Sequence, residues 1–409
     1  MDLNKEFFAC LALRHTPGLG PRTWKKILSA YDSAYEAVRD VRGWAALRLA
    51  RRDQIEAAER EVWRADAEAE YRAARSRGMD PVTWNDPRFP QRLREIADPP
   101  LLLYAAGDAG LLAGPCVAVV GARKCTRHGL DAAARISTEL SRMGLTVVSG
   151  LALGVDREAH LGGLSGVGSS VAVLGCGLDV RYPKGNGDLR AALEERGCVV
   201  SEFAPGTPPD GNNFPHRNRI ISGLSMGVVV AEAAKRSGSL ITARLAGEQG
   251  RDVFALPGPA GQAAFTGCHS LIREGAVLAD SGEDVLRELR YQFGPELNGL
   301  PRSEPKGGER RIERIQAASL PPERAAAFGD ERPQGPAPLP SERLSAPAPD
   351  PDSDPDGRAV WDRLGRDRVH IDELTRGLGW ESARVSQTLL LLEMSGAVRQ
   401  WPGMRYSRS

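Results

Sequence analysis

The run Val117-Ala118-Val119-Val120-Gly121-Ala122-Arg123 decides the fold: four apolar residues end abruptly in glycine, and a basic segment follows before a helical pattern begins near Leu130. A short strand that is apolar on both faces belongs inside a parallel sheet, because only a sheet covered on both sides buries all of its side chains. The unit recurs. Strands are expected at Thr146–Ser149, Ser170–Leu174, Cys198–Ser201, Val228–Ala231 and Asp252–Leu256, with helices between them around Leu130–Met143, Asp156–Leu161, Gly187–Glu195, Asn218–Leu224 and Leu240–Gln249. Strands and helices in alternation make a doubly wound α/β domain. In such a sheet ligands bind beyond the carboxyl ends of the strands, so the residues just after each strand carry the functional information.

Those residues are glycine-rich and basic. Four turns follow strands: Gly121 to Arg123, Ser149 to Asp156, Gly175 to Asp179 and Lys235 to Thr242. Gathered at one sheet edge, their free N–H groups and the helix N-termini behind them would form a concave anion site. Arg123, Lys124, Lys184, Arg217, Arg219, Lys235 and Arg236 supply a local cationic cluster there, suited to several phosphates in a row. Tyr182, Phe203 and Phe214 offer faces for stacked bases, or else core packing. Pro215 is disfavoured inside a helix, so Arg217, Asn218 and Arg219 are expected at a helix start facing the same edge. The alternative for either arginine is a pairing with Glu202 or Glu232 that braces the pocket. The candidate phosphate- and DNA-binding residues are therefore Gly121, Arg123, Lys124, Gly150, Gly154, Lys184, Phe214, Arg217, Asn218, Arg219, Lys235, Ser237, Gly238, Ser239 and Thr242.

Several chemistries are missing. A dinucleotide fingerprint would need small residues where Arg123 and Lys124 stand, and no acid follows Ser149-Gly150 to hold a ribose hydroxyl. No G-x-x-x-x-G-K-[ST] occurs. Gly223-Leu224-Ser225-Met226-Gly227 matches G-x-S-x-G, but the order there is helix then strand, the reverse of a nucleophile elbow. The six histidines fall at no metal-ligand spacing, and the six cysteines form no C-x-x-C pair, so no metal is implied and the thiols read as reduced and mostly buried.

With 409 residues the chain has room for two or three domains, and a net charge of +1 makes any nucleic-acid surface a local patch. No uncharged apolar run approaches the ~18 residues of a membrane span, and no secretory signal opens the chain, so a cytoplasmic protein without a membrane partner is expected. Residues 301–355 hold 12 of the 29 prolines, a composition that cannot bury enough surface to order itself. The expected divisions are a helical N-terminal domain at 1–98, the Rossmann-like domain at 99–295, a linker at 296–357 and a C-terminal domain at 358–409. Within the first, His15-Thr16-Pro17-Gly18-Leu19-Gly20-Pro21 before Trp24-Lys25-Lys26 is either a helix-hairpin-helix meeting a phosphate or a turn between packed helices.

These segments together resemble the DNA-processing protein A family (DprA, also called Smf). The resemblance rests on Asp86-Pro87-Arg88-Phe89-Pro90, Asp98-Pro99-Pro100-Leu101-Leu102-Leu103-Tyr104, Val119 to Arg123, Ser149 to Asp156, Gly177-Leu178-Asp179-Val180-Arg181-Tyr182-Pro183, Phe214 to Gly223, Arg236 to Ala243, Pro257-Gly258 and Gly267 to Ala276. It covers about residues 85–290. It implies an extended Rossmann-like domain that binds single-stranded DNA in a basic pocket, a homodimer formed through that domain, no cofactor, and delivery of the recombinase RecA in natural transformation, with single-stranded-DNA-binding protein as a further partner. Arg123 matches the family's pocket arginine, and Lys184 a DNA-contacting lysine. The sequence departs from the pattern at Pro209-Asp210-Gly211-Asn212-Asn213, where some members place a lysine.

The tail from Val360 to Arg408 reads as a winged helix, with Glu381 to Ser395 as its third helix and a wing turn at Pro402-Gly403. Its third helix offers Arg384 and Gln387 beside Glu381 and Glu393, a weak face for base readout; protein contact and subsidiary DNA binding both stand. Two further functions compete with DNA binding. One is a nucleotide N-glycosidic-bond hydrolase on a related fold, which requires a catalytic carboxylate pair, for which only Glu202 and Glu232 are available. The other is a winged-helix transcription regulator.

Overall fold

A parallel strand needs its partners brought alongside by crossovers, and the computed structural model, which describes residues 2–301, 354–365, 367–394, 397–401 and 405–408, contains such a run of crossovers. It is preceded by helices α1 (Leu3–His15), α2 (Pro21–Ala30), α3 (Ala34–Arg39), α4 (Gly43–Ala46), α5 (Arg52–Glu59) and α6 (Arg64–Ser76). Strand β1 (Asp80–Thr83), α7 (Gln91–Glu95) and β2 (Leu102–Gly107) follow. The α/β succession then runs β3 (Cys116–Gly121), α8 (Arg127–Arg142), β4 (Thr146–Ser149), α9 (Val155–Gly163), β5 (Ser170–Val173), α10 (Gly187–Arg196), β6 (Cys198–Ser201), α11 (Asn213–Leu224), β7 (Gly227–Glu232), α12 (Ser239–Glu248), β8 (Asp252–Ala255), α13 (Thr266–Arg273), β9 (Val277–Leu278) and α14 (Gly282–Leu297).

The strands form one sheet in the order β1-β2-β6-β5-β4-β3-β7-β8-β9. From β6 to β9 every pairing is parallel, and β2 and β1 are added antiparallel at one edge. The central strands β3 to β7 are buried almost throughout, as double coverage by helices requires. Strands β1 and β2 depart from the expected pattern. β1 falls inside the stretch expected to be helical; it is four residues long and contains Pro81, which only an edge strand tolerates well. β2 ends the apolar run that starts at Leu101. A single hydrophobic core joins the N-terminal helices to the sheet, with Phe7 of α1 edge-on to Tyr104 of β2 at 6.0 Å.

The expected linker, 296–357, lies outside the described residues from 302 to 353. Its last residues already belong to the second compact unit, where α15 (Pro355–Arg363), the first helix among the described residues there, is N-capped by Asp354. Together with α15, β10 (Val369–His370), α16 (Ile371–Leu378), α17 (Ser382–Met394), β11 (Val398–Trp401) and β12 (Arg405–Arg408) give three helices among the described residues and a three-stranded antiparallel sheet, ordered β10-β12-β11. The wing turn at Pro402-Gly403 lies outside the described residues.

Candidate nucleic-acid interface

The chain builds β3, β4, β5 and β6 outward in one direction and then returns to place β7 on the other side of β3. The carboxyl ends of β3, β4 and β7 therefore border the switch point of the sheet, the place where ligands bind in folds of this kind. Two of the candidate glycines serve its construction. A Cβ on Gly121 would lie 2.7 Å from a Val155 methyl, and one on Gly154 would press into the Arg123 and Ala122 carbonyl oxygens. Gly154 also has φ +81°. Glycine at both positions lets the loop after β3 lie directly on the first turn of α9, where Val155 N–H donates to the Ala122 carbonyl at 3.2 Å.

The open nest of N–H groups expected between Ser149 and Asp156 is filled from within. Asp156 Oδ2 accepts from the N–H of Gly150 at 3.2 Å and of Ala152 at 3.3 Å, and His160 Nε2 accepts from Leu151 N–H at 3.2 Å. Burial holds the Asp156 carboxyl above its usual range, against the pull of Arg217, and pushes the His160 imidazole down to about 3, so that it is a neutral acceptor. Gly150 is thus a buried element of the scaffold and not a phosphate cradle. At the start of α8, Glu232 likewise accepts from the Thr126 N–H at 3.0 Å and from its hydroxyl at 2.6 Å.

Two candidate arginines turn inward. Helix α11 starts at Asn213, earlier than Pro215 suggested, because a proline in the first turn forfeits no helical hydrogen bond. Arg217 is consequently one turn inside the helix and 5% exposed. Its Nη1 donates to the Gly150 carbonyl at 2.9 Å and to the Val173 carbonyl, and burial lowers its pKa to about 10. Arg219, 3% exposed, pairs with Glu202 at 2.7 Å and with Asp98 at 3.1 Å. Burial raises the Glu202 carboxyl, but Arg219 and the His216 ring at 3.0 Å outweigh it and bring it down to about 2. The Arg219–Glu202 pair is the bracing contact given as an alternative above, and it takes Arg219 out of the exposed cations, while Arg217 braces the loop through two backbone carbonyls instead.

The candidate residues that remain exposed after these strands are fewer and still cationic. Arg123, Lys124, Lys184, Lys235 and Arg236 are exposed. Phe214, half-buried at the start of α11, packs its ring against Gly175 and Tyr182, the latter at 5.6 Å between ring centres. The Arg123 guanidinium stands 5.4 Å from the Phe214 ring centre and that of Arg217 6.0 Å. Asn218 is half-buried one helical turn further on, and its Oδ1 accepts from Arg217 Nε at 3.2 Å. In the turn after β7, Gly238 is exposed, the Ser237 and Ser239 hydroxyls lie 2.8 Å apart, and Ser239 and Thr242 are buried.

The carboxylate pair needed for hydrolysis does not assemble. Glu202 follows β6 and Glu232 ends β7, with β5, β4 and β3 between them, so four strand spacings separate them by about 19 Å. Glycosidic chemistry wants a pair within about 10 Å. Ser225 is buried and its hydroxyl donates to the Ile221 carbonyl at 2.9 Å, closing α11. Among the described residues no cluster of His, Cys, Asp and Glu gathers to hold a metal ion. The cysteines are free, and burial pushes the Cys125 thiol, the most accessible of them, up to about 12. In the N-terminal hairpin Lys25 donates to the carbonyls of Glu95 at 2.8 Å and Ile96 at 2.9 Å, which commits one of its two lysines to packing.

The family model for DNA recombination-mediator protein A matches residues 80–290, and the one for the DprA winged helix domain matches residues 345–404. The chain belongs to the DNA recombination-mediator protein A family. A DNA processing protein DprA from Streptococcus pneumoniae is 48% identical over 206 residues, 50% of this chain and 73% of its own. Protein Smf from Synechocystis is 36% identical over 337 residues, 80% of this chain and 79% of its own. The X-ray structure of DNA processing protein A from Streptococcus pneumoniae superposes with a TM-score of 0.60 at 39% identity, over 69% of this chain and 97% of that one. The match beginning at residue 80 coincides with β1, so the family's domain includes the edge strand that lies within the region expected to be helical.

Proposed function

We propose that this DprA-family protein binds single-stranded DNA at the β3–β4–β7 crevice, protects it, and delivers RecA to it during natural transformation. The observation that carries the reading is the grouping around Phe214: the Arg123 guanidinium 5.4 Å and the Tyr182 ring 5.6 Å from its ring centre, with Lys184, Lys235 and Arg236 exposed after strands of the same sheet. Cations tracking phosphates beside an aromatic platform are the chemistry of sequence-tolerant single-strand binding. Gly121, Gly150, Gly154, Arg217 and Arg219 support this surface from beneath; Arg123, Lys124, Lys184, Phe214, Asn218, Lys235 and the Ser237–Gly238 turn form it. A homodimer, single-stranded-DNA-binding protein as a displaced competitor, and action in the cytoplasm complete the proposal. Among the described residues no helix is long and apolar enough to cross a membrane.

Fluorescence anisotropy of a labelled mixed-sequence strand and its duplex, across a salt series, tests the binding step. The expected result is a clear single-strand preference with a negative slope of log K against log salt. Equal affinity for both forms, or none, overturns it. RecA filament assembly on a strand already covered by single-strand-binding protein tests the delivery step. Acceleration by this protein supports it, and an unchanged lag removes it.

A further inference from the structure

The C-terminal unit carries a second cationic and aromatic surface, and it is not on the helix a winged-helix fold would offer to DNA. In helix-turn-helix docking the recognition helix enters the major groove and its polar side chains read base edges. The arginine of α17, Arg384, is instead held by Asp356 of α15 through two hydrogen bonds, of 2.9 and 2.7 Å, with Glu381 exposed just ahead of the helix. Its charge is already neutralised.

The outer face of the three-stranded sheet has the opposite character. Successive side chains on a strand alternate between faces. Arg399 and Trp401 of β11 stand opposite Ser407 and Arg405 of β12, while Val398 and Tyr406 turn into the core. His370 of β10 flanks Arg405 on its other side. Arg368, Arg399 and Arg405 are exposed, and none makes an ion pair among the described residues. The Arg368 guanidinium lies 3.8 Å from the Trp401 ring centre and that of Arg399 5.7 Å. The indole is fixed by a hydrogen bond of 3.0 Å from its N–H to the Ser407 hydroxyl.

We propose that this sheet face, through Arg368, Arg399, Arg405 and Trp401, is a second binding site for single-stranded DNA. Three cations with no ion pair among the described residues call for a polyanion, and an oriented, part-exposed indole with guanidiniums close by suits an unpaired base whose phosphates those cations hold. A duplex hides its bases from such a surface. The proposal rests on the single-strand function proposed above, and it adds a site on the same chain that is linked covalently to the first, raising the effective concentration of one site for a strand held at the other.

The test uses the full chain and a labelled mixed-sequence single strand. Each phosphate contact to a single strand adds about 0.7 to the salt slope, so replacing Arg368, Arg399 and Arg405 together by alanine is expected to flatten that slope by about 2 units. Arg384→Ala is expected to leave it unchanged. Photo-crosslinking of a halogenated-uracil strand should label a peptide containing Trp401. A wild-type slope in the triple variant with no label on residues 397–408 overturns the proposal, and so does a flattened slope in Arg384→Ala alone. Loss of binding in Arg123→Ala alongside a wild-type triple variant rejects the sheet-face site but keeps the crevice. Failure of the wild type to bind single strands rejects both.

Discussion

Arg217 Nη1 donates to the Gly150 carbonyl at 2.9 Å, so the first arginine of the Arg217-Asn218-Arg219 segment lies beneath the glycine-rich loop and holds it. Its guanidinium, 5% exposed, adds positive charge beneath the surface formed by Arg123 and Phe214. Arg217→Ala leaves the Gly150 and Val173 carbonyls without this donor and opens a cavity in the buried layer. A loss of about 3 kcal/mol in stability is expected, read as a lowered urea midpoint, since breaking a buried charged contact costs that much.

Arg123 behaves in the opposite way. It is exposed, and its one described side-chain neighbour of note is the Phe214 ring. Arg123→Ala is expected to leave the thermal midpoint unchanged while weakening single-strand affinity about tenfold and flattening the salt slope by about 0.7. Phe214→Leu keeps an apolar contact with Gly175 but removes the stacking face; a loss of about 1–3 kcal/mol in binding is expected. If both variants bound as the wild type does, the crevice would be the wrong place for the strand.

The α/β succession was legible because doubly buried strands such as Val117–Val120 carry their fold in their own composition. The edge strands were not. β1 contains Pro81 and only four residues, and β9 only two, so neither has a period to read; pairing with a neighbour makes them strands. The location of the site was legible from glycine and cations after strands. Its interior was hidden, because whether a loop's N–H groups are free depends on side chains from elsewhere. Asp156 and His160 fill the Gly150 loop from α9, and Glu202 claims Arg219 from the end of β6. An acid in the first turn of a helix behind such a loop, as at Asp156, is the signal that could have warned of it.

The Glu202–Arg219 pair makes stability depend on pH. The folded carboxyl titrates at about 2 against an ordinary 4.5, so its contribution is fully present above about pH 4.5 and fades as pH falls toward 2. Glu202→Gln should therefore cost about 3 kcal/mol at neutral pH, with the wild-type and variant urea midpoints converging on acidification. A difference that stayed constant down to pH 3 would mean that packing and not charge holds Arg219 in place.

Gly154 concentrates the geometric demands of the site in one residue. Its backbone, at φ +81° and ψ −129°, lies in a region essentially reserved for glycine. A methyl group there would also be driven into the Arg123 and Ala122 carbonyls, which are backbone atoms and cannot swing aside. Gly154→Ala must then either strain α9's first turn or lift the loop after β3 away from it, breaking the Val155-to-Ala122 hydrogen bond. Backbone strain alone costs about 1–3 kcal/mol. The second effect displaces Arg123 from Phe214. The expected outcome is a lowered midpoint together with weakened single-strand binding, whereas Gly238→Ala, with open space around its Cβ and ordinary dihedrals, should change stability little. A Gly154→Ala protein that melted and bound like the wild type would show that the loop after β3 does not need its present seat on α9 to hold the strand.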